Sequence, residues 1–198
     1  MSLPSIRSLY ILLCFLLAAL YFTPFKFLSL VYGSQVLFAM GYIYLIRMKL
    51  ADTILLPSLK TMFLTFGICF LSFLMLYLFQ IRIPIRANSW IIFINFLILS
   101  PFAEELFFRQ AILGSMLKFG IPKTYSIVTS SFLFGAYHLI GIHYLSSFKT
   151  FIILQAIYGF FVGLFLATTW IKSKSLIKVI ILHILINLSF LIFIKIYY

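Results

Sequence analysis

Residues 89–117 read SWIIFINFLILSPFAEELFFRQAILGSML. The stretch is almost wholly apolar and long enough for a membrane-crossing helix, which needs about 20 such residues. Yet it holds Glu104 and Glu105 side by side, with Arg109 one helical turn later. On insertion scales a charged group at the bilayer centre costs at least about 2.5–3.5 kcal/mol, and ionisable residues inside a span are functional-site candidates by default. The apolar length fixes the fold class, and the acids within it show where chemistry is to be sought.

Working outward, further apolar blocks cover 6–22, 27–46, 59–80, 124–140, 151–171 and 176–196. With 89–117 they predict an all-α, polytopic transmembrane bundle of about seven spans. Lipid satisfies no backbone hydrogen bonds, so the choice lies between helices and a closed barrel. Continuous apolar blocks without two-residue alternation exclude the barrel. Turn and charge signals separate the blocks, at Thr23-Pro24, Lys49 to Asp52, Pro84 to Arg86, Gly120 to Lys123 and Lys172 to Lys174. The block after Arg7 reads as a retained first helix, since no small-residue cleavage pattern ends it. The organisation read from this is 1–88 as N-terminal helices without a motif and 89–197 as a catalytic helical core.

Composition supports the same class. Hydrophobic residues make up 65% of the chain and charged ones 9%, against about 25% charged in soluble domains. The net charge of +12 would suggest nucleic acid in a soluble protein. Here the cations stand between apolar blocks, which suits anionic headgroups and excludes a nucleic-acid partner. Alternating loops put Arg7, Arg47, Lys49, Lys60, Lys118, Lys123, Lys172, Lys174 and Lys178 on one side. Lys26, Arg82, Arg86, Lys149 and Lys195 fall on the other, so the N-terminus is expected in the cytoplasm and the C-terminus outside. Cys14 and Cys69 lie in apolar runs and read as free, buried small hydrophobes.

Three groups of polar residues interrupt the apolar blocks. Glu105 and Arg109 share a helix face at the i,i+4 spacing that favours an ion pair, a pattern that fits a structural clasp between helices as well as direct chemistry. Glu104 points about 100° away and is free for another role. Pro101 predicts that the helix starts or kinks there, which would bring an N-terminal partial charge near both carboxylates. His138 follows a run holding Ser130, Ser131, Gly135 and Ala136, small residues that let helices approach closely. His143 reads as an interfacial histidine and Asp52 as a solvated acid. His183 and Asn187 share one stripe of the last span, which is otherwise apolar from Val179 to Phe193 apart from Ser189. These spans set His138 and His183 toward opposite ends of their helices, so one shared site requires a helix end to be displaced.

Glu104-Glu105-Leu-Phe-Phe-Arg109 fits EExxxR, Phe134-Gly-Ala-Tyr-His138 fits FxxxH, and His183-Ile-Leu-Ile-Asn187 fits HxxxN. In this order on separate spans, the three resemble the CPBP intramembrane peptidases, or Abi family. That family includes type II CAAX prenyl proteases and bacteriocin-processing or immunity proteins. The resemblance covers roughly 89–197. Gln110 departs from it, since many members carry a small residue, commonly Gly, after the motif arginine.

The resemblance implies a membrane-embedded endopeptidase acting on a peptide or lipidated protein, and a multi-pass protein of a bacterial cell membrane. It implies Glu104 as the base that activates water and His138 as the group that shares or orients that water. His183 and Asn187 would donate to the oxyanion, and Glu105 paired with Arg109 would support the geometry. No cofactor is favoured. Zinc held by Glu104, His138 and His183 stays open, although Asn187 is a poor zinc ligand and no HExxH is present. A non-catalytic immunity or sensor-partner protein on the same scaffold is the alternative. A transporter ranks last, because the first half has no counterpart to the Glu–Glu–Arg segment. Serine chemistry lacks GxSxG, and both cysteines lie outside the motif half.

Overall fold

The computed structural model describes residues 28–45, 54–83, 93–140, 142 and 145–197. The expected first span at 6–22, together with Cys14, Arg47, Lys49, Asp52, Arg86 and His143, lies outside the described residues. Within them the chain is all helix. Six helical rods follow one another: α1 (Leu28–Leu45), α2 (Leu59–Leu78), a composite α3, α4 (Lys123–Tyr137), α5 (Lys149–Ser173) and α6 (Leu176–Tyr197). By length and apolarity Leu59–Leu78, Ser146–Ser173 and Leu176–Lys195 are able to cross a membrane. The remaining expected spans rest on the sequence pattern.

α3 runs through Asn95–Leu99 as π-helix, Ser100–Glu105 as α-helix, Leu106–Leu113 as π-helix and Gly114–Lys118 as α-helix. Of the start or kink expected at Pro101, the start is corrected. No helix begins there, so no helix N-terminus faces the two glutamates. A proline ring clashes with the carbonyl four residues back, and the widened turn Asn95–Leu99 lies against that position, so the rod passes Pro101 without ending. It stops at Gly120, whose φ of 79° suits glycine, and Pro122 follows.

Local chemistry sets the other ends. Ser58 Oγ accepts from Thr61 N at 3.3 Å at the start of α2. At the end of α5, Lys174 takes a left-handed conformation and its N–H donates to Trp170 O at 2.7 Å. Ser175 Oγ then accepts from Leu55 N and from Lys178 N, each at 3.2 Å, tying the approach to α2 to the α5–α6 turn.

α4 packs antiparallel on α5 through bare backbone. A Cβ on Gly135 would lie 2.6 Å from Ala156 O, and one on Gly163 would lie 3.0 Å from Ser131 Cα. The small residues expected to mark a close approach are therefore at the contact. α2 packs on α6, where Phe66, Phe70 and Phe73 surround Phe193 with ring centroids 5.6, 5.4 and 5.0 Å away. α1 lies against α3 and reaches α4 by a hydrogen bond from Gln35 Nε2 to Tyr137 Oη. Phe63, Leu64, Leu71 and Phe132 stay exposed on the outside, the surface of a protein whose solvent is lipid.

Candidate active site

The buried polar residues meet where α3, α4 and α6 converge. Glu105 and Arg109 are fully buried, and Glu105 Oε2 stands 2.8 Å from Arg109 Nε. Four residues separate them, so one face of α3 carries both. Arg109 Cζ lies 4.8 Å from the centroid of the Phe134 ring on α4, a cation–π contact. Its Nη1 lies 3.5 Å from Ser130 Oγ, which itself donates to Phe108 O at 2.8 Å.

The other oxygen of Glu105 accepts from His183 Nδ1 at 2.9 Å. A carboxylate only accepts, so Nδ1 carries hydrogen and Nε2 points onward. Nε2 is 3.8 Å from Glu104 Oε2, beyond direct hydrogen-bond reach. Glu104 Oε1 accepts from Ser100 Oγ, four residues earlier on the same face. One imidazole thus stands between two adjacent carboxylates, bonded to the buried one and turned toward the other.

His138 closes α4, at its junction with the 3₁₀ turn His138–Ile140. Its Nδ1 donates to Phe134 O at 2.9 Å, which leaves the lone pair on Nε2. Gly159 of α5 backs this ring: a Cβ there would lie 3.3 Å from His138 Nδ1. The imidazoles of His138 and His183 stand edge-on to the same Phe134 ring, at 5.2 and 5.7 Å between centroids. The sequence pattern set these two histidines toward opposite helix ends. Both nevertheless reach the Phe134 ring and the same cavity wall, His183 from two turns inside α6 and His138 from the very end of α4. Asn187, one turn beyond His183, donates from Nδ2 to Phe96 O at 2.8 Å. Phe96 belongs to the π turn ahead of Pro101, and the Asn187 carboxamide has a second N–H.

Glu104, His138, His183 and Asn187 all line one cavity of about 790 Å³ between α2, α5 and α6. Glu105 and Arg109 are absent from its wall and sit behind it. Away from the four polar groups the wall is mostly apolar, with Phe151, Ile157 and Phe190 among the lining residues. Ser100, Gly159 and the carbonyl of Phe96 are members of this site that the sequence pattern did not single out. A serine four residues before Glu104 was the one available signal. Among the described residues no three His, Cys, Asp or Glu side chains form a group that could hold a metal ion. The zinc set of Glu104, His138 and His183 is not among such groups, and no step below is routed through a metal.

Residues 86–189, just over half of the chain, match the family model described as type II CAAX prenyl endopeptidase Rce1-like. The chain belongs to this family. The match spans every residue of the cluster, from Glu104 to Asn187, and the family is one of proteases. With its apolar helices, membership makes the chain an integral membrane protein. No curated protein and no solved structure matches the chain.

Proposed function

We propose that the chain is an intramembrane endopeptidase that hydrolyses a membrane-associated peptide bond with water activated by Glu104 and His138. The observation that carries the reading is the single cavity onto which Glu104, His138, His183 and Asn187 open, with the Glu105–Arg109 pair packed behind. Glu104 takes the proton of the attacking water. Ser100 fixes one carboxylate oxygen and leaves the other facing the cavity. His138, with Nδ1–H committed to Phe134 O, offers Nε2 as an acceptor that orients the same water. As the tetrahedral intermediate forms, the second N–H of Asn187 donates to its oxyanion. His183, held through Nδ1 by Glu105, turns its Nε2 edge toward the same charge. The proton held by Glu104 then passes to the leaving amine.

A general base typically contributes 10²–10⁴-fold to rate. Glu104→Gln keeps the shape of the side chain and removes the basic group. Cells carrying the variant should accumulate the uncleaved precursor peptide, seen by mass spectrometry, at an unchanged protein level. Full processing by Glu104→Gln and by His138→Ala would end the enzyme reading and leave the chain a binding scaffold.

A further inference from the structure

We infer that the Gln155 carboxamide holds the main chain of the substrate, pairing with the N–H and C=O of one residue about two places from the bond that is cleaved; this presupposes the endopeptidase reading above.

Besides the reacting groups, the polar side chains on the cavity wall are Cys69, Ser72, Gln155 and Tyr158. Three of them are engaged with the protein. Ser72 Oγ donates to Ile68 O at 2.9 Å, and Cys69 Sγ and Tyr158 Oη stand 3.4 Å apart as a hydrogen-bonded pair between α2 and α5. Gln155 is half-buried and has no hydrogen-bond partner among the described residues. A glutamine in a membrane helix ordinarily bonds across to a neighbouring helix. This one keeps two N–H donors and a carbonyl acceptor for whatever enters the cavity.

A peptide that enters a mostly apolar cavity gives up water on its N–H and C=O groups, and each one left unmet is costly. In an extended chain the N–H and C=O of a single residue point the same way. A carboxamide carries a donor and an acceptor side by side, so Gln155 can meet both at once.

The position of Gln155 along α5 sets which residue it meets. It lies four residues before Gly159, on the same face and about 6 Å along the helix. Gly159 backs the His138 ring, since a Cβ there would lie 3.3 Å from Nδ1. An extended peptide advances about 3.3–3.6 Å per residue. With its cleaved bond beside His138, it presents to Gln155 the residue about two places along. His138 and Glu104 then act on the bond, and Gln155 keeps the chain extended across it.

The full-length protein in detergent tests this with Gln155→Leu, which keeps the bulk, and Gln155→Ala. The probe is the precursor that accumulates in Glu104→Gln cells, made synthetically. A set of analogues replaces one backbone N–H at a time by an ester oxygen, over three residues on each side of the cleaved bond. Both variants should raise KM about 10-fold, the worth of two neutral hydrogen bonds, with kcat and the unfolding midpoint unchanged. One ester about two residues from the cleaved bond should raise KM of the unaltered chain by a smaller factor and add nothing in Gln155→Leu. An unchanged KM in both variants overturns the inference, as does a lowered unfolding midpoint in both, which would make Gln155 a packing residue. An ester effect of equal size with and without Gln155 at every position overturns it too. These failures leave Glu104→Gln inactive and so spare the endopeptidase reading, whereas full processing by Glu104→Gln removes both.

Discussion

Glu105 spends both oxygens on protein partners, one on Arg109 and one on His183, whereas Glu104 keeps an oxygen toward the cavity. Adjacent residues of the same type should therefore respond differently to the same change. Arg109→Ala leaves a fully buried carboxylate with its charge partner removed, and breaking such a pair costs about 3–5 kcal/mol. The unfolding midpoint in detergent should drop sharply, and Arg109→Lys should restore it only in part, because the guanidinium fork is lost. Glu104→Gln should leave that midpoint almost unmoved. Asn187→Ala should keep substrate binding and lower turnover on the order of 10²–10³-fold, the usual effect of losing one oxyanion donor. A change in KM with kcat intact would remove Asn187 from the oxyanion role.

At the scale of the element, the α4–α5 crossing fixes His138. Gly159 faces the imidazole itself, whereas Gly135 and Gly163 face backbone and side chain farther along the same contact. Gly159→Ala should lower kcat and leave the fold intact, since the added methyl pushes one ring. Gly135→Ala forces a Cβ to 2.6 Å from a carbonyl oxygen and should reduce the amount of folded protein. Equal loss of fold in both variants would make Gly159 a packing residue only. The all-helical class was legible in the sequence, and so were Glu104, His138, His183 and Asn187 on the cavity wall, because polar and ionisable groups in an apolar block stand out against their surroundings. Ser100 and Gly159 were not, since each acts on one neighbour, and for Gly159 only packing supplies that neighbour. The π turns were missed as well: a widened turn has no compositional mark, and Pro101 alone pointed to a start or kink.

At the scale of the molecule, the charges among the described residues are confined to one buried cluster and to the helix ends, with many large apolar side chains exposed between them. The proposed mechanism draws base, orienting imidazole and oxyanion donors from side chains alone, and a chelator tests it. Purified enzyme treated with a strong chelator should retain its peptidase activity, and complete loss reversed by added zinc would replace this mechanism with a metal-dependent one. For orientation in the bilayer the sequence offers a charge bias alone.

The π-helical stretch Leu106–Leu113 amounts to a one-residue insertion carried inside a rod that is otherwise mostly α-helical. Deleting Ala111 would let the hydrogen bonds fall back into the four-residue register. Everything upstream would then turn by about 100° about the rod axis, swinging both glutamates off His183 while hydropathy stayed almost the same. Such a shortened chain should still insert into membranes in normal amounts and process nothing, a genetic lesion that a substitution scan of this segment would never uncover.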